Sequence, residues 1–475
     1  MATLWTIVIF LYFILICIYI GQVILNYANT NPIKAIGWIL AIIFIPVLGI
    51  ILYIVVGRNL RRKRFRYDRL RKAVKKMGRI DYGFPENCGY TIPAQYKVLN
   101  RLLTNITYMP VFPGNKVDVY GSGQEKFENM FRDMEAAKDH INIIYYALGD
   151  DRIGTQFKDI LIRKAKEGVN IRLLYDDMGC NKVKRPYFKE LHENGVKLEV
   201  FSPVRFPKIM RGINYRNHKK IVVIDGKIGY TGGINVKDEY LDGVEWGIWR
   251  DLHFRIEGSG AQGLQMVFIT DWFYSHDEFL NDQRFFPEIT VGRGNPMQIV
   301  SAEPLGYTAN IMQGILAAIS RARDYIYIES PYVVPTDEIL TAIQNAGLSG
   351  LDVRIIMPER SDNPKVQYAS NTYVTQLIAS NVKVYQYTAG FIHSKLILID
   401  DELTIGGSSN MDMRSFELNF ETNIFIYDKE TVAKSMKLFQ EDLNNSILID
   451  EHVWNSRPLL TRFKESFFRL FSPLL

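Results

Sequence analysis

Residues 218–225 read His218-Lys219-Lys220-Ile221-Val222-Val223-Ile224-Asp225, and six residues later comes Gly232-Gly233-Ile234-Asn235. Residues 393–400 read His393-Ser394-Lys395-Leu396-Ile397-Leu398-Ile399-Asp400, and six residues later comes Gly407-Ser408-Ser409-Asn410. Both stretches are His-x-Lys-x4-Asp followed, at the same distance, by Gly-small-x-Asn. One His-x-Lys is a commonplace of protein surfaces, but the same frame repeated at the same spacing is not. Aliphatic, largely β-branched residues fill each stretch, which predicts a strand. Successive strand side chains point to opposite faces, so His and Lys of each copy share a face. The aspartate, an odd number of residues from its histidine, falls on the other face and is assigned to holding the motif's geometry. The glycines permit a tight return that brings Asn235 and Asn410 back toward the His-Lys face.

The surrounding sequence repeats as well. Ala137-Lys138-Asp139-His140-Ile141-Asn142-Ile143 parallels Ala322-Arg323-Asp324-Tyr325-Ile326-Tyr327-Ile328. The first copy predicts a helix over 127–138, a strand over 141–147, a helix over 155–167, a strand over 170–175, a helix over 187–194 and a strand over 197–201. The second predicts the same order over 311–323, 325–328, 338–346, 352–357, 373–379 and 383–387. Alternating strands and helices mean a layered α/β domain. Two such domains in tandem suggest a pseudo-two-fold pairing in which each supplies half of one site.

Charge is distributed unevenly along the 475 residues, whose net charge is +6. Residues 1–57 carry one charged side chain, Lys34, whereas 58–76 carry eleven Lys and Arg against Asp68, and the rest of the chain is net negative. An acidic body argues against a protein that grips nucleic acid along a broad basic face. Residues 4–25 are almost wholly apolar and long enough to span a bilayer, and 37–56 form a second such stretch in which Pro46 predicts a kink. A short connector makes the pair a transmembrane hairpin over residues 1–57. No basic residue precedes the first stretch and no cleavage pattern follows it, which disfavours a signal peptide. The basic run at 58–76 keeps its end of the hairpin, and so the two α/β domains, on the cytoplasmic side, and it attracts anionic lipid. Residues 58–110 read as this juxtamembrane segment and a linker, 111–290 as the first domain, and 291–475 as the second with C-terminal helices. Leu459, Leu460, Phe463, Phe467 and Phe471 form an apolar stripe that either packs on the body or lies beside a membrane. The three cysteines, Cys17, Cys88 and Cys180, form neither a disulfide framework nor a zinc spacing.

Two His, two Lys and two Asn supply a nucleophile, an acid/base and positive donors for phosphodiester exchange without a metal or other cofactor. The duplicated frame resembles that of the phospholipase D superfamily, and nearly the whole chain is similar to the bacterial cardiolipin synthases. The resemblance implies two tandem phospholipase D-like α/β/α domains in pseudo-two-fold arrangement behind the transmembrane hairpin. It implies a multi-pass enzyme of the bacterial cell membrane that condenses two phosphatidylglycerol molecules into cardiolipin and glycerol, with anionic lipid and not nucleic acid as partner. It further implies a ping-pong reaction through a phosphatidyl-histidine. In that reading His218 is the nucleophile and His393 the acid/base, with Lys220, Lys395, Asn235 and Asn410 around the phosphoryl oxygens and Asp225 and Asp400 fixing the motif. Asn419-Phe420-Glu421 matches the family's Asn-x-Glu in the second copy, making Glu421 the carboxylate that orients the motif histidine. The same offset in the first copy lands on Trp246, which cannot serve. Asp251, in the family-like Trp249-Arg250-Asp251, is the candidate there, with Glu245 behind it and an Arg250–Asp251 ion pair as the structural alternative. Arg414-Ser415 resembles a second family motif that contacts headgroups or the Asn loop. His140, His192, His253, His276 and His452 stand in no repeated frame and read as core or surface residues. Hydrolysis to phosphatidic acid, transfer to another alcohol, a nuclease and an inactive lipid scaffold are the competing readings. The sequence leaves the acceptor, acyl-chain preference and oligomeric state open.

Overall fold

A computed structural model describes residues 2–27, 32–54, 90–203, 215–276, 278–289, 294–304 and 308–472 of the chain. The basic run at 58–76 lies outside the described residues.

Fifteen described strands form one continuous sheet, built from two halves of matching order. From the centre outward the first half runs Phe112–Tyr120, His253–Glu257, Ile228–Gly232, Lys220–Ile224, His140–Tyr145, Asn170–Asp176 and Lys197–Phe201. The second runs Asn295–Ala302, Glu421–Ile426, Leu403–Gly407, Leu396–Ile399, Tyr325–Glu329, Asp352–Pro358 and Lys383–Tyr387, with Ser446–Leu448 added at its edge. The halves join where Phe112–Tyr120 pairs antiparallel with Asn295–Ala302, Phe112 opposite Met297 and Asn115 opposite Asn295. The outer strands of each half are parallel and linked by helices, as the alternation predicts. Helices cover both faces, so the motif strands are buried throughout. Each buried aliphatic side chain there stabilises the fold by about 1.5–3 kcal/mol.

Helix starts follow local chemistry. Ser122 caps Gly123–Glu135 by accepting from the Glu125 N–H, and Asp151 caps Arg152–Lys166 by accepting from Gly154. One helix begins well before its expected position: the segment read as 373–379 starts at Pro364, with Asn363 as its cap. In the segment read as linker, Lys97–Thr107 is a helix. Tyr96, Leu99 and Leu103 are buried in the core of the second half beside Ile311 and Ile315.

At the N-terminus, Ala2–Tyr27 is one helix, and its Trp5–Leu25 is long and apolar enough to cross a membrane. The second apolar stretch is broken. Pro32–Phe44 and Pro46–Leu52 are separate helices meeting at Ile45 (φ −130°, ψ 65°), where proline removes a backbone donor. Val23, Ile42, Ile50 and Tyr53 pack together across the three helices.

Candidate active site

The strands of the motif begin at Lys220 and Leu396, so both histidines sit just before a strand and not within one. Each lies on a crossing between the halves. The His218 N–H donates to the Phe420 carbonyl at 2.9 Å, and the His393 N–H donates to the Arg250 carbonyl at 2.6 Å. Phe391 and Ile392 also pair with Trp249 and Arg250 in a small parallel ladder. Both histidine segments are thereby anchored to the chain just before Glu421 and Asp251.

Those carboxylates take hold of the rings in a crossed arrangement. His218 Nδ1 donates to Glu421 Oε1 at 3.0 Å, and His393 Nδ1 donates to Asp251 Oδ2 at 2.7 Å. This corrects the expectation that each carboxylate orients the histidine of its own copy. The cause is strand order. Glu421 opens, and Asp251 shortly precedes, a strand that neighbours the seam strand of its half, so each faces the opposite half. Asp251 is nevertheless the repeat counterpart of Glu421, displaced by five extra residues after its histidine. Among the described residues Arg250 makes no ion pair with the Asp251 carboxylate; its Nε donates to Asp442 at 2.8 Å and its Nη1 to the Asp251 main-chain carbonyl at 3.0 Å. Among the described interactions, none brings Glu245 to either ring.

The glycine-rich turns divide the support unequally. A Cβ at Gly233 would lie 2.0 Å from Asp251 Oδ1, so only glycine leaves room for that carboxylate. At the corresponding place Ser408 donates its hydroxyl to Glu421, and Asn419 Nδ2 donates to Glu421 Oε1 at 3.1 Å. Asn235 accepts from the Ala147 N–H at 3.3 Å and donates to the Tyr240 hydroxyl at 2.7 Å. Asn410 donates to Asp412 Oδ2 at 3.2 Å, and Ser415 accepts from the Asn410 N–H at 3.2 Å. Ser415 therefore serves the Asn loop, as one of the two sequence readings had it. Each Asn amide has a second N–H.

Lys220 and Lys395 fold back alike. Nζ of Lys220 donates to the His218 carbonyl at 2.7 Å, and Nζ of Lys395 donates to the His393 carbonyl. Lys395 Nζ also lies 2.8 Å from His393 Nδ1. Asp251 can only accept, so Nδ1 carries the proton and the ammonium acts on the ring through its charge. In each neutral ring Nε2 keeps its lone pair. The intervening residues go the other way: Lys219 pairs with Asp271 at 2.9 Å, fully buried on the opposite face.

Burial and proximity shift the charged groups together. Burial lowers the Lys220 ammonium to about 7 and the Lys395 ammonium to about 8. Burial, then the Lys395 charge, lower the His393 imidazolium to about 4, and burial lowers His218 too. Burial works to raise Glu421 and Asp251, yet His218 and then Lys220 beside the first, and Lys395 and then His393 beside the second, hold both carboxyls below their ordinary range. By itself the site is thus short of protons. A bound phosphodiester anion raises the pKa of both lysines, so binding at a pH of about 9 should take protons from solution. Calorimetry of a non-hydrolysable phosphonate diester in buffers of different ionisation enthalpy checks this; a buffer-independent enthalpy would refute it.

Asp225 and Asp400 lie away from the rings. Asp225 accepts from the N–H groups of Lys138 (2.9 Å), Asp139 (2.8 Å) and His140 (2.9 Å). Asp400 accepts likewise from Arg323 (3.0 Å), Asp324 (2.9 Å) and Tyr325 (3.1 Å). Both have left-handed backbones, φ 51° and 43°, which Asp and Asn tolerate best. Asp225→Ala or Asp400→Ala should therefore cost about 2–4 kcal/mol of stability, and Asn less. Denaturation midpoints test it; equal loss for Ala and Asn would refute the hydrogen-bond account.

Aromatic side chains line the site. Tyr146 meets the His218 ring edge-on at 4.8 Å, and Tyr332, Trp249 and Phe391 lie 6.3, 5.5 and 5.6 Å from the His393 ring. Sequence reading missed them. A signal existed for two: Tyr146 and Tyr332 each follow the strand that pairs with the motif strand. Among the described residues no group of three or more His, Cys, Asp and Glu is placed to hold a metal ion.

Residues 130–246 and 315–443 match the family described as cardiolipin synthase, PLD-like domain. Residues 8–58 match the family described as phospholipase D-nuclease N-terminal. Cardiolipin synthase 2 of Bacillus cereus is 38% identical over 453 residues, covering 94% of this chain and 88% of its own length. The major cardiolipin synthase of Bacillus subtilis is 40% identical over 448 residues, covering 92% of this chain and 93% of its own. Among solved structures, phosphatidylserine synthase from Haemophilus influenzae matches with a TM-score of 0.62 at 15% identity, over 79% of this chain and 99% of that one. At that identity the likeness is one of fold.

Proposed function

Because this chain belongs to the cardiolipin synthases of the phospholipase D superfamily, its reaction is a phosphatidyl transfer, and we propose that it joins two phosphatidylglycerol molecules into cardiolipin and glycerol. The observation that carries this reading is the pair of His-Lys sets at the seam, each ring oriented by the other half's carboxylate.

In the proposed course, His218 Nε2 attacks phosphorus of the first lipid. The N–P bond forms as the P–O bond to glycerol breaks, and His393 gives a proton to the departing oxygen. His393 then takes the proton from a glycerol hydroxyl of the second lipid, whose oxygen attacks phosphorus and displaces His218. Exchanging one phosphodiester for another conserves bond type, so no nucleotide is consumed. Lys220 and Lys395, with the second amide N–H of Asn235 and Asn410, stabilise the phosphoryl oxygens. The anion between the lysines offsets the Lys395 charge that depresses His393, so bound substrate readies His393 to hold its proton. Asp225 and Asp400 act on the fold and not on the lipid.

The helix Ala2–Tyr27 serves as the membrane anchor, and the broken pair Pro32–Phe44 and Pro46–Leu52 as its companion span. The basic run at 58–76 would then keep both catalytic halves on the cytoplasmic side. Purified enzyme in phosphatidylglycerol vesicles should release glycerol and form cardiolipin in equal amounts. Phosphatidic acid as the main product would mean water is the acceptor and would overturn the synthase reading.

A further inference from the structure

The C-terminal stripe noted in the sequence faces outward. The helix Leu459–Arg469 is fastened to the body through a polar and aromatic face. Buried Glu465 accepts from Asn371 Nδ2 at 3.0 Å and from Arg457 Nη1 at 2.7 Å. Phe468 stacks on Tyr368 at 5.4 Å, and the Arg469 guanidinium lies 4.5 Å from the centre of the Tyr373 ring. Its large apolar side chains remain exposed: Leu459 (80%), Leu460 (74%), Phe463 (69%), Phe467 (47%), Leu470 (76%) and Phe471 (42%). A soluble domain ordinarily turns such a stripe inward.

We propose that this stripe is a bilayer-docking surface, seated among anionic lipid headgroups on the side of the membrane that holds the body. Three observations select a bilayer as occupant. The same chain carries a helix long and apolar enough to cross a membrane, so a bilayer is tethered within reach. Arg462 and Lys464 are exposed beside the stripe, while the helix's one acid, Glu465, is buried against Arg457. This basic rim suits anionic lipid. A second copy docking symmetrically would set like charges against each other. The helix also leads to the reacting groups. It packs on Pro364–Ile378, next to whose cap Asp362 accepts from the Tyr332 hydroxyl at 2.6 Å, and Tyr332 faces the His393 ring. Docking would set the mouth of the site at the lipid surface, a consequence that rests on the lipid-substrate reading; the docking itself does not.

The test uses the full chain in phosphatidylglycerol vesicles, with a bimane probe on Phe463→Cys in a Cys17→Ser, Cys88→Ser background. Bromines on the acyl chains should quench the probe, equally with and without His218→Ala, which separates docking from turnover. Phe463→Asp with Phe467→Asp should leave the thermal midpoint unchanged. The pair should keep turnover of dispersed short-chain phosphatidylglycerol within about twofold but lose about fivefold or more on vesicles. A probe untouched by bromine overturns the proposal. So does a probe shielded from bromine but self-quenched between labelled copies, which would put a second copy on the stripe.

Discussion

His218→Ala should abolish phosphatidyl transfer, and His393→Ala should reduce it by about a thousandfold or more. The two losses should then separate when the leaving group changes. A phosphatidyl donor carrying p-nitrophenol needs no proton from an acid, because its departing oxygen is stable as the anion. With that donor His393→Ala should still give a burst of one nitrophenol per site, followed by slow turnover, while a lipid remains bound to His218. His218→Ala should give no burst, since no N–P bond can form. The structure explains why the roles can differ although the frames are duplicated. Lys395 lies 2.8 Å from His393 Nδ1, while among the described residues His218 Nδ1 meets the Glu421 carboxylate, supported by Ser408 and Asn419. A burst in His218→Ala and none in His393→Ala would reverse the assignment. Bursts in both would remove the histidine intermediate altogether.

How much of this was legible in the sequence depends on whether a feature is local. The two His-x-Lys-x4-Asp frames were legible because duplication at constant spacing is a property of the string itself. Parity along a strand put Asp225 and Asp400 off the His-Lys face; in the structure the histidines precede their strands, and each aspartate accepts from three backbone N–H groups. Helix and strand order were legible from periodicity, although Pro364 opens a helix earlier than its apolar pattern does. The crossed carboxylates were not legible. They depend on which strands meet at the seam, and no residue near Glu421 records that Phe420 will receive the His218 N–H. The helix Lys97–Thr107 was hidden because its apolar positions complete a core formed by residues some two hundred positions later. The aromatic residues around the rings belong to four different segments, and proximity made by folding leaves little trace in any one of them.

Glu421→Gln and Asp251→Asn should each lower turnover by about a hundred- to ten-thousandfold, and the crossing makes their signatures opposite to those expected from chain position. Each exchange keeps shape but removes the charge that holds Nδ1–H, so the ring is free to adopt the tautomer with its proton on the working nitrogen. Glu421 belongs to the second half yet holds His218, so Glu421→Gln should lose the nitrophenol burst. Asp251 belongs to the first half yet holds His393, so Asp251→Asn should keep the burst and lose turnover with phosphatidylglycerol. Asp251→Asn carries a second consequence. Its carboxylate is the leading influence raising the buried Lys395 ammonium against the pull of burial. Without it Lys395 should release its proton at lower pH, and the alkaline limb of the pH–rate profile should move down. Glu421 is likewise the leading support of the Lys220 charge, so Glu421→Gln should move the limb in the same direction. A burst lost in Asp251→Asn and kept in Glu421→Gln would mean that each carboxylate serves its own half during the reaction.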